Sequence, residues 1–417
     1  MSEQAIFYTI LTILLADFVL ERVVSYLNLK SSTKAIPTEL EGVYDTARYR
    51  KSQDYQATLS RFSNLTATFF FVLVFLAVYR GWFGMLDAWL RNFSPMDMLT
   101  TLYFFAALYL IHDVLGLPFD LYRTFVIEER FGFNKTSAKT YILDKVKGYL
   151  LAILIGGLLL VALVYLISAM GHGFWLYFWG VMTAFILLAN LFYTSLILPL
   201  FNKLVPMEAG ELKASIEAFS QQVNFPLKNI FVIDGSKRSS KGNAFFSGLG
   251  NKKKVVLYDT LIDKHTTEEL TAIFAHEVGH YKKKHIYLST ALGIMQMGIM
   301  LFLLSRMIYH SEVSYALGGN MTAIHLNILA FGILYTPISH LLGLGMNLIS
   351  RKNEYEADAY AAQHYQTQPL IDALKKLSGD HLSNLTPHPL YVFLNYSHPT
   401  LLQRIRAMRK INVSAKD

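Results

Sequence analysis

The amino-acid sequence predicts an all-α multi-pass membrane protein with seven transmembrane helices and a cytoplasmic part that carries a small β-hairpin or sheet. Three observations lead there. Of the 417 residues 53% are hydrophobic and only 16% charged, a balance too apolar for an ordinary soluble enzyme. The apolar residues gather in separate runs of about 20, the length that crosses a hydrocarbon core of about 30 Å. Lys and Arg alternate between rich and poor across successive connecting segments, as the positive-inside rule requires of a polytopic protein. The net charge of +8 belongs to that pattern; no nucleic-acid-binding signature accompanies it, so nucleic acid is not an expected partner. Cysteine is absent, which excludes disulfides and thiolate metal sites and fits a reducing compartment.

The spans fall at roughly 6–29, 66–88, 97–117, 147–170, 174–200, 286–308 and 322–349. The first lacks a basic leader region and a small-residue cleavage site, so it reads as a retained span. Spans one to three contain Asp17, Glu21, Arg22, Arg80, His112 and Asp113. Charges near a span end can snorkel, and the others require a partner or a watery cavity, so the bundle encloses water. Only Met170-Gly171-His172-Gly173 separates spans four and five, a tight turn suited to a helical hairpin.

The segments after spans one, three and five and the C-terminal tail are rich in Lys and Arg, while those after spans two, four and six are not. This puts the N-terminus outside and the C-terminus in the cytoplasm. The chain then divides into 1–202 (spans one to five), 203–285 (a cytoplasmic segment with small β runs), 286–349 (spans six and seven) and 350–417 (cytoplasmic helices). The Lys252–Lys254 and Lys282–Lys284 clusters either meet anionic headgroups or add ordinary cytoplasmic charge; the second reading is preferred.

The central chemical signal is His276-Glu277-Val278-Gly279-His280, an H-E-x-x-H pattern of the kind zinc metalloproteases use. Residues four apart share a helix face, so both imidazoles can reach one ion. Glu277 lies beside the metal position, where it can take a proton from the attacking water. Thr266-Thr267-Glu268-Glu269 supplies an N-cap with acids in the first turn, and Leu270, Ile273, Phe274 and Val278 an apolar flank. The bland alternative is a helix that happens to carry two histidines.

A catalytic zinc site takes three protein ligands and leaves one position open. Downstream, Glu354 and Asp358 share a helix face and Glu356 points elsewhere. Glu354 is therefore the expected third ligand, and Asp358 the acceptor that orients a ligand imidazole. Ala357 and Ala359 keep that helix slim enough to approach the first. His398 and Arg404, in a segment that begins Tyr396-Ser397-His398-Pro399, are side chains of the type that steady an oxyanion, although a His-Pro turn before a basic helix is ordinary. Residues 236–248 lie between β-like runs at Ile230–Ile233 and Lys254–Tyr258. They form either an exposed strand that binds substrate by strand addition or a plain hairpin.

These residues resemble the type I CAAX prenyl endopeptidases, seven-span membrane metalloproteases of the gluzincin type, along nearly the whole chain. The match is carried by Phe125-Val126-Ile127-Glu128-Glu129-Arg130-Phe131-Gly132-Phe133-Asn134, by Gly235 to Ser240 with Asn243-Ala244, by the zinc motifs, and by Tyr396 to Pro399 with Arg404. The first of these has no motif reading of its own. The resemblance implies a hollow barrel of tilted helices around a water-filled chamber, with one zinc ion per chain near its cytoplasmic end. It implies cleavage near the C-terminus of peptides that end in an isoprenylated cysteine motif. It also implies that Asn243 holds substrate backbone as an edge strand, and that His398 and Arg404 touch substrate or the oxyanion.

The short tail and the absence of cysteine favour a bacterial inner membrane over the endoplasmic reticulum, which would leave the natural substrate with or without a prenyl group. The rival readings are a quality-control membrane metalloprotease of the heat-shock HtpX type and, from another class, a seven-span receptor or transporter. A site-two-type protease is excluded, because the motif is flanked by charge and Asp234-Gly235 lies upstream of it.

Overall fold

The computed structural model describes residues 1–32, 34–94, 96–227, 229–247 and 254–414. Gly248, Lys252 and Lys253, named above, lie outside them. The described chain is mostly helical. Among the described residues, four helical runs are long and apolar enough to cross a membrane: Thr46–Tyr79, Asp97–Phe131, Ala138–Phe201 and His285–Met307. A fifth candidate is the pair Ile324–Leu334 and Thr336–His364, bent by 52°. This is fewer than the seven expected, and part of the difference lies in one run. At 64 residues, Ala138–Phe201 would be about 96 Å long if straight, three times the hydrocarbon thickness. It does not stay straight: Leu158–Met170 packs against Phe174–Phe192, and the chain turns at Gly171, whose φ is 53°. The helix Glu3–Ser31, which carries Asp17, Glu21 and Arg22, stands outside that set and packs along Thr46–Tyr79.

The second expected span is displaced. Its helix begins at Thr46, capped by the Asp45 carboxylate on the Arg48 N–H, and ends at Tyr79 rather than at residue 88. Gly81 takes a left-handed φ of 66° and opens a separate short helix, Trp82–Arg91. The break is enforced by packing. A Cβ on Gly84 would stand 1.8 Å from the Gly318 carbonyl oxygen, so the two segments meet backbone to backbone.

The β element is a four-stranded sheet in the order β1-β2-β4-β3, with β1 Leu204–Pro206, β2 Asn229–Ile233, β3 Ala244–Ser247 and β4 Lys254–Tyr258. The hairpin alternative is thereby corrected. The two predicted runs, β2 and β4, are parallel neighbours in register Ile230 to Val255, and parallel pairing needs a crossover connection rather than a tight turn. That crossover contains β3, which pairs antiparallel with β4 and leaves its other edge unpaired among the described strands.

The largest buried cluster lies in the part of the chain that carries the sheet. It gathers Ile216, Phe219 and Phe225, Val255 and Leu257 of β4, Phe274 and Val278 of the motif helix, and Leu370 and Ile371. Phe274 is 1% exposed and Val278 fully buried. Burying side chains of this size stabilises by about 1.5–3 kcal/mol each, which fixes the rotation of the helix that carries the histidines.

Candidate active site

The motif helix, Thr267–Lys282, starts in a reciprocal capping box: Thr266 Oγ1 accepts from the Glu269 N–H, and the Glu269 carboxylate accepts from the Thr266 N–H. It packs most closely on Thr336–His364, the helix that carries Glu354 and Asp358. The approach is permitted by Gly279 against Ala357: a Cβ on Gly279 would lie 2.9 Å from the Ala357 Cα. Ala357 is fully buried there, whereas Ala359 is only half-buried. The slim pair is therefore Gly279 and Ala357, not Ala357 and Ala359.

This contact brings the three expected ligands together. His276 Nε2 and His280 Nε2 are 3.2 Å apart, Glu354 Oε1 is 3.2 Å from His280 Nε2, and Glu354 Oε2 is 3.5 Å from His276 Nε2. Ligand atoms about 2.0–2.1 Å from one tetrahedral ion stand about 3.3 Å from one another, so the donor set fits zinc. Glu354 Oε2 is also buried without a hydrogen-bond partner, with the Arg404 guanidinium no nearer than 3.5 Å, so it keeps an acceptor position that a cation would satisfy. The electrostatics agree. Burial pulls the His276 imidazole pKa down, but Asp358 and Glu354 beside it override this and raise it to about 9: the pocket favours positive charge.

Asp358 is where the sequence put it. Its Oδ1 is 2.9 Å from His276 Nδ1, which leaves Nε2 free to face the metal position. Arg404 is 9% exposed and donates to Asp358 from Nε at 2.8 Å and from Nη2 at 2.6 Å. Its third nitrogen, Nη1, lies 3.5 Å from Glu354 Oε2. Arg404 thus braces the ligand helix as well as lining the pocket.

The second imidazole has a support that sequence reasoning missed. His280 Nδ1 is 3.0 Å from Nδ1 of the buried His285, whose Nε2 is 3.1 Å from Glu356. Were His280 Nε2 to face a metal ion, one proton arrangement would satisfy the chain: His280 Nδ1–H donating to His285, and His285 Nε2–H donating to Glu356. Glu356 does point away from Glu354 and Asp358, but it is not idle. The available signal was a histidine five residues after His280, at the start of the next helix.

One cavity is lined by His276, Glu277, Glu354, His398, Arg404 and Asn243, with Ile273, Leu370, Leu374 and Leu377 as an apolar wall. Burial holds the Glu277 carboxyl above its ordinary range, against the opposing pull of His276 and His280. His398 is exposed, with Nε2 3.3 Å from Glu354 Oε1 and Nδ1 2.9 Å from the Ser397 hydroxyl. Asn243 sits at the start of β3, where its side-chain oxygen accepts from the Ala244 N–H.

A family profile described as peptidase family M48 matches residues 206–412, and one described as CAAX prenyl protease N-terminal, five membrane helices, matches 25–203. CAAX prenyl protease 1 of Saccharomyces cerevisiae is 34% identical over 97% of this chain and 95% of its own. The CAAX prenyl protease 1 homolog of Arabidopsis thaliana is 34% identical over 92% and 93%. The chain belongs to peptidase family M48. A crystal structure of S. mikatae Ste24p has the same fold, with a TM-score of 0.90 at 32% identity over 97% of this chain and 98% of that one. This M48 chain is accordingly a multi-pass membrane zinc endopeptidase of the Ste24-like type, and the receptor or transporter alternative is set aside.

Proposed function

We propose that His276, His280 and Glu354 hold one zinc ion per chain, and that Glu277 is the general base for cleavage near the C-terminus of isoprenylated peptides. The observation that carries the site is the convergence of the three ligand atoms, all within 4.8 Å of one another, in one cavity with an unliganded Glu277. Bound there, zinc supplies Lewis acidity, which polarises the scissile carbonyl and makes water acidic near neutral pH. Glu277 accepts the proton of the attacking water and passes it to the leaving amine. In this reading the His398 imidazole, which lines the same cavity as Arg404, donates an N–H to the developing oxyanion.

Asn243 and the edge of β3 that is unpaired among the described strands supply main-chain partners for an extended substrate. The wall of Ile273, Leu370, Leu374 and Leu377 suits aliphatic side chains next to the cleaved bond. The prenyl requirement rests on the names of the yeast and Arabidopsis relatives.

Seven spans in a hollow barrel, the divisions at 202, 285 and 349, and an outside N-terminus with the site on the cytoplasmic face complete the reading. The Lys and Arg alternation supports the orientation. The absence of cysteine supports a bacterial inner membrane, against relatives that are eukaryotic.

The substrate class is tested with two peptides of one sequence, farnesylated and unmodified, given to the purified protein. Cleavage that favours the farnesylated peptide by its kcat/KM supports the reading. Equal cleavage of both moves the role to quality control of unmodified membrane proteins.

A further inference from the structure

The segment Phe125 to Asn134 plays no part in the metal site, yet its place in the fold gives it a task. The helix Asp97–Tyr122 runs into a π-helical turn, Arg123–Glu128, and one further turn, Glu129–Phe131, closed by Gly132 at a φ of 86°. Such turns re-aim side chains and recur at functional positions. Here the turn delivers Glu128.

Beyond it the chain lies against residues 238–241. Asn134 and Ser239 form an antiparallel bridge, and the Ser240 N–H donates to the Phe133 carbonyl at 3.1 Å. On one flank Arg238 grips Asp144 with two hydrogen bonds of 2.7 and 2.8 Å. On the other, Lys241 Nζ donates to the Tyr55 hydroxyl at 2.9 Å and to Glu128 Oε2 at 3.3 Å, while the Tyr55 hydroxyl donates to Glu128 Oε1 at 2.8 Å. The three groups close a ring in which Lys241 donates twice and the Tyr55 hydroxyl both accepts and donates. Tyr55, Phe131 and Phe133 are buried around it, and the Lys241 ammonium lies 4.2 Å from the Phe133 ring centre. Charge-assisted hydrogen bonds are about twice as strong as neutral ones, and here Lys241 keeps 32% of its side chain exposed while Glu128 keeps 17%.

Lys241 stands two residues before Asn243, whose carbonyl accepts from the Tyr258 N–H of β4 at 3.0 Å. Between them Gly242 is pressed on Leu261: a Cβ there would lie 3.1 Å from the Leu261 Cα. A shift at Lys241 therefore passes directly to the start of β3.

We infer that Tyr55, Glu128 and Lys241 form a positioning clamp through which the membrane helices set the height of the β3 edge above the metal ligands. The three touch no reacting atom and act through Asn243 and β3. The inference rests on the reading that β3 carries substrate backbone.

The test uses full-length protein and two farnesylated peptides with the same C-terminus, one long enough to extend over β3 and one that leaves it empty. Lys241→Met is expected to raise KM for the long peptide roughly ten-fold, as loss of one charge-assisted contact implies. The kcat, the zinc content and the short peptide's kinetics stay as in the wild type, and Lys241→Arg restores the long peptide's KM. Unchanged KM on the long peptide, equal losses on both peptides, or loss of zinc overturns the clamp. If Lys241→Met does not fold, Glu128→Gln, which keeps a neutral acceptor, is expected to show the same split with a smaller rise. A wild type with the same KM for both peptides refutes the β3 reading itself, and the clamp with it. Failure of the clamp alone leaves the wild type's preference for the long peptide intact.

Discussion

At the scale of single residues, the site is a set of imidazoles whose orientation is imposed from behind. His276 is held by Asp358 at 2.9 Å and His280 by His285 at 3.0 Å. Removing such a support typically weakens metal binding by about 10–100-fold. Asp358→Asn and His285→Leu are each expected to lower zinc affinity by about that factor, measured by competition with a chromophoric chelator; unchanged affinity in both would show that the supports are incidental. The shared face of His276 and His280 was legible in the sequence because helical spacing is local, whereas Glu354, on another helix, was expected only because a catalytic zinc site needs a third ligand. His285 and Gly279 were not, because their roles appear only once two helices meet.

Another residue sets a pH dependence. Burial holds the His381 pKa down at about 4, and neighbouring Lys241 adds to the effect. Its Nε2 is buried with no partner. The unfolded chain, with an ordinary pKa near 6.5, takes up a proton that the folded state refuses until about pH 4. Stability is therefore full above about pH 6.5 and falls on acidification through that window, by about 2 kcal/mol between pH 7 and 5 for a group this well shielded. His381→Gln should flatten the pH dependence of thermal unfolding in detergent over that range.

Among the elements, two contacts decide whether the ligands converge. The helix Thr267–Lys282 can approach Thr336–His364 only because residue 279 has no side chain. Gly279→Val is expected to cost about 1–3 kcal/mol by overpacking and to reduce zinc occupancy, because the two histidines and Glu354 sit on opposite sides of that seam. Thr266→Ala, which removes one half of the capping box, should cost only about 1 kcal/mol and leave zinc in place. Comparing the two variants separates helix stability from helix approach. The motif helix and its cap were readable as a local pattern. The sheet was half readable: β2 and β4 announce themselves by apolar β-branched runs, but their parallel pairing depends on a crossover, and β3 lies inside it. Nothing in the sequence pairs Glu128 with Lys241, 113 positions apart.

For the molecule as a whole, apolar composition made the multi-pass class plain, while the span count was less so. Helices such as Glu3–Ser31 mix charge with apolar residues because part of their surface faces other helices or water, which dilutes the signal that a lipid-facing helix would give. The orientation can be tested cleanly because the chain has no cysteine. A single cysteine at Asn320 should react with an impermeant maleimide on intact cells, and one at Lys283 only after permeabilisation; the reverse pattern would invert the topology.

The most direct measurement of the central claim is zinc content and farnesyl-peptide cleavage, taken together on the purified wild type and on Glu277→Gln. The account expects about one zinc in each, cleavage by the wild type, and a loss of about a hundred- to ten-thousand-fold in the variant. Zinc missing from both proteins, or cleavage that survives in Glu277→Gln, would contradict it.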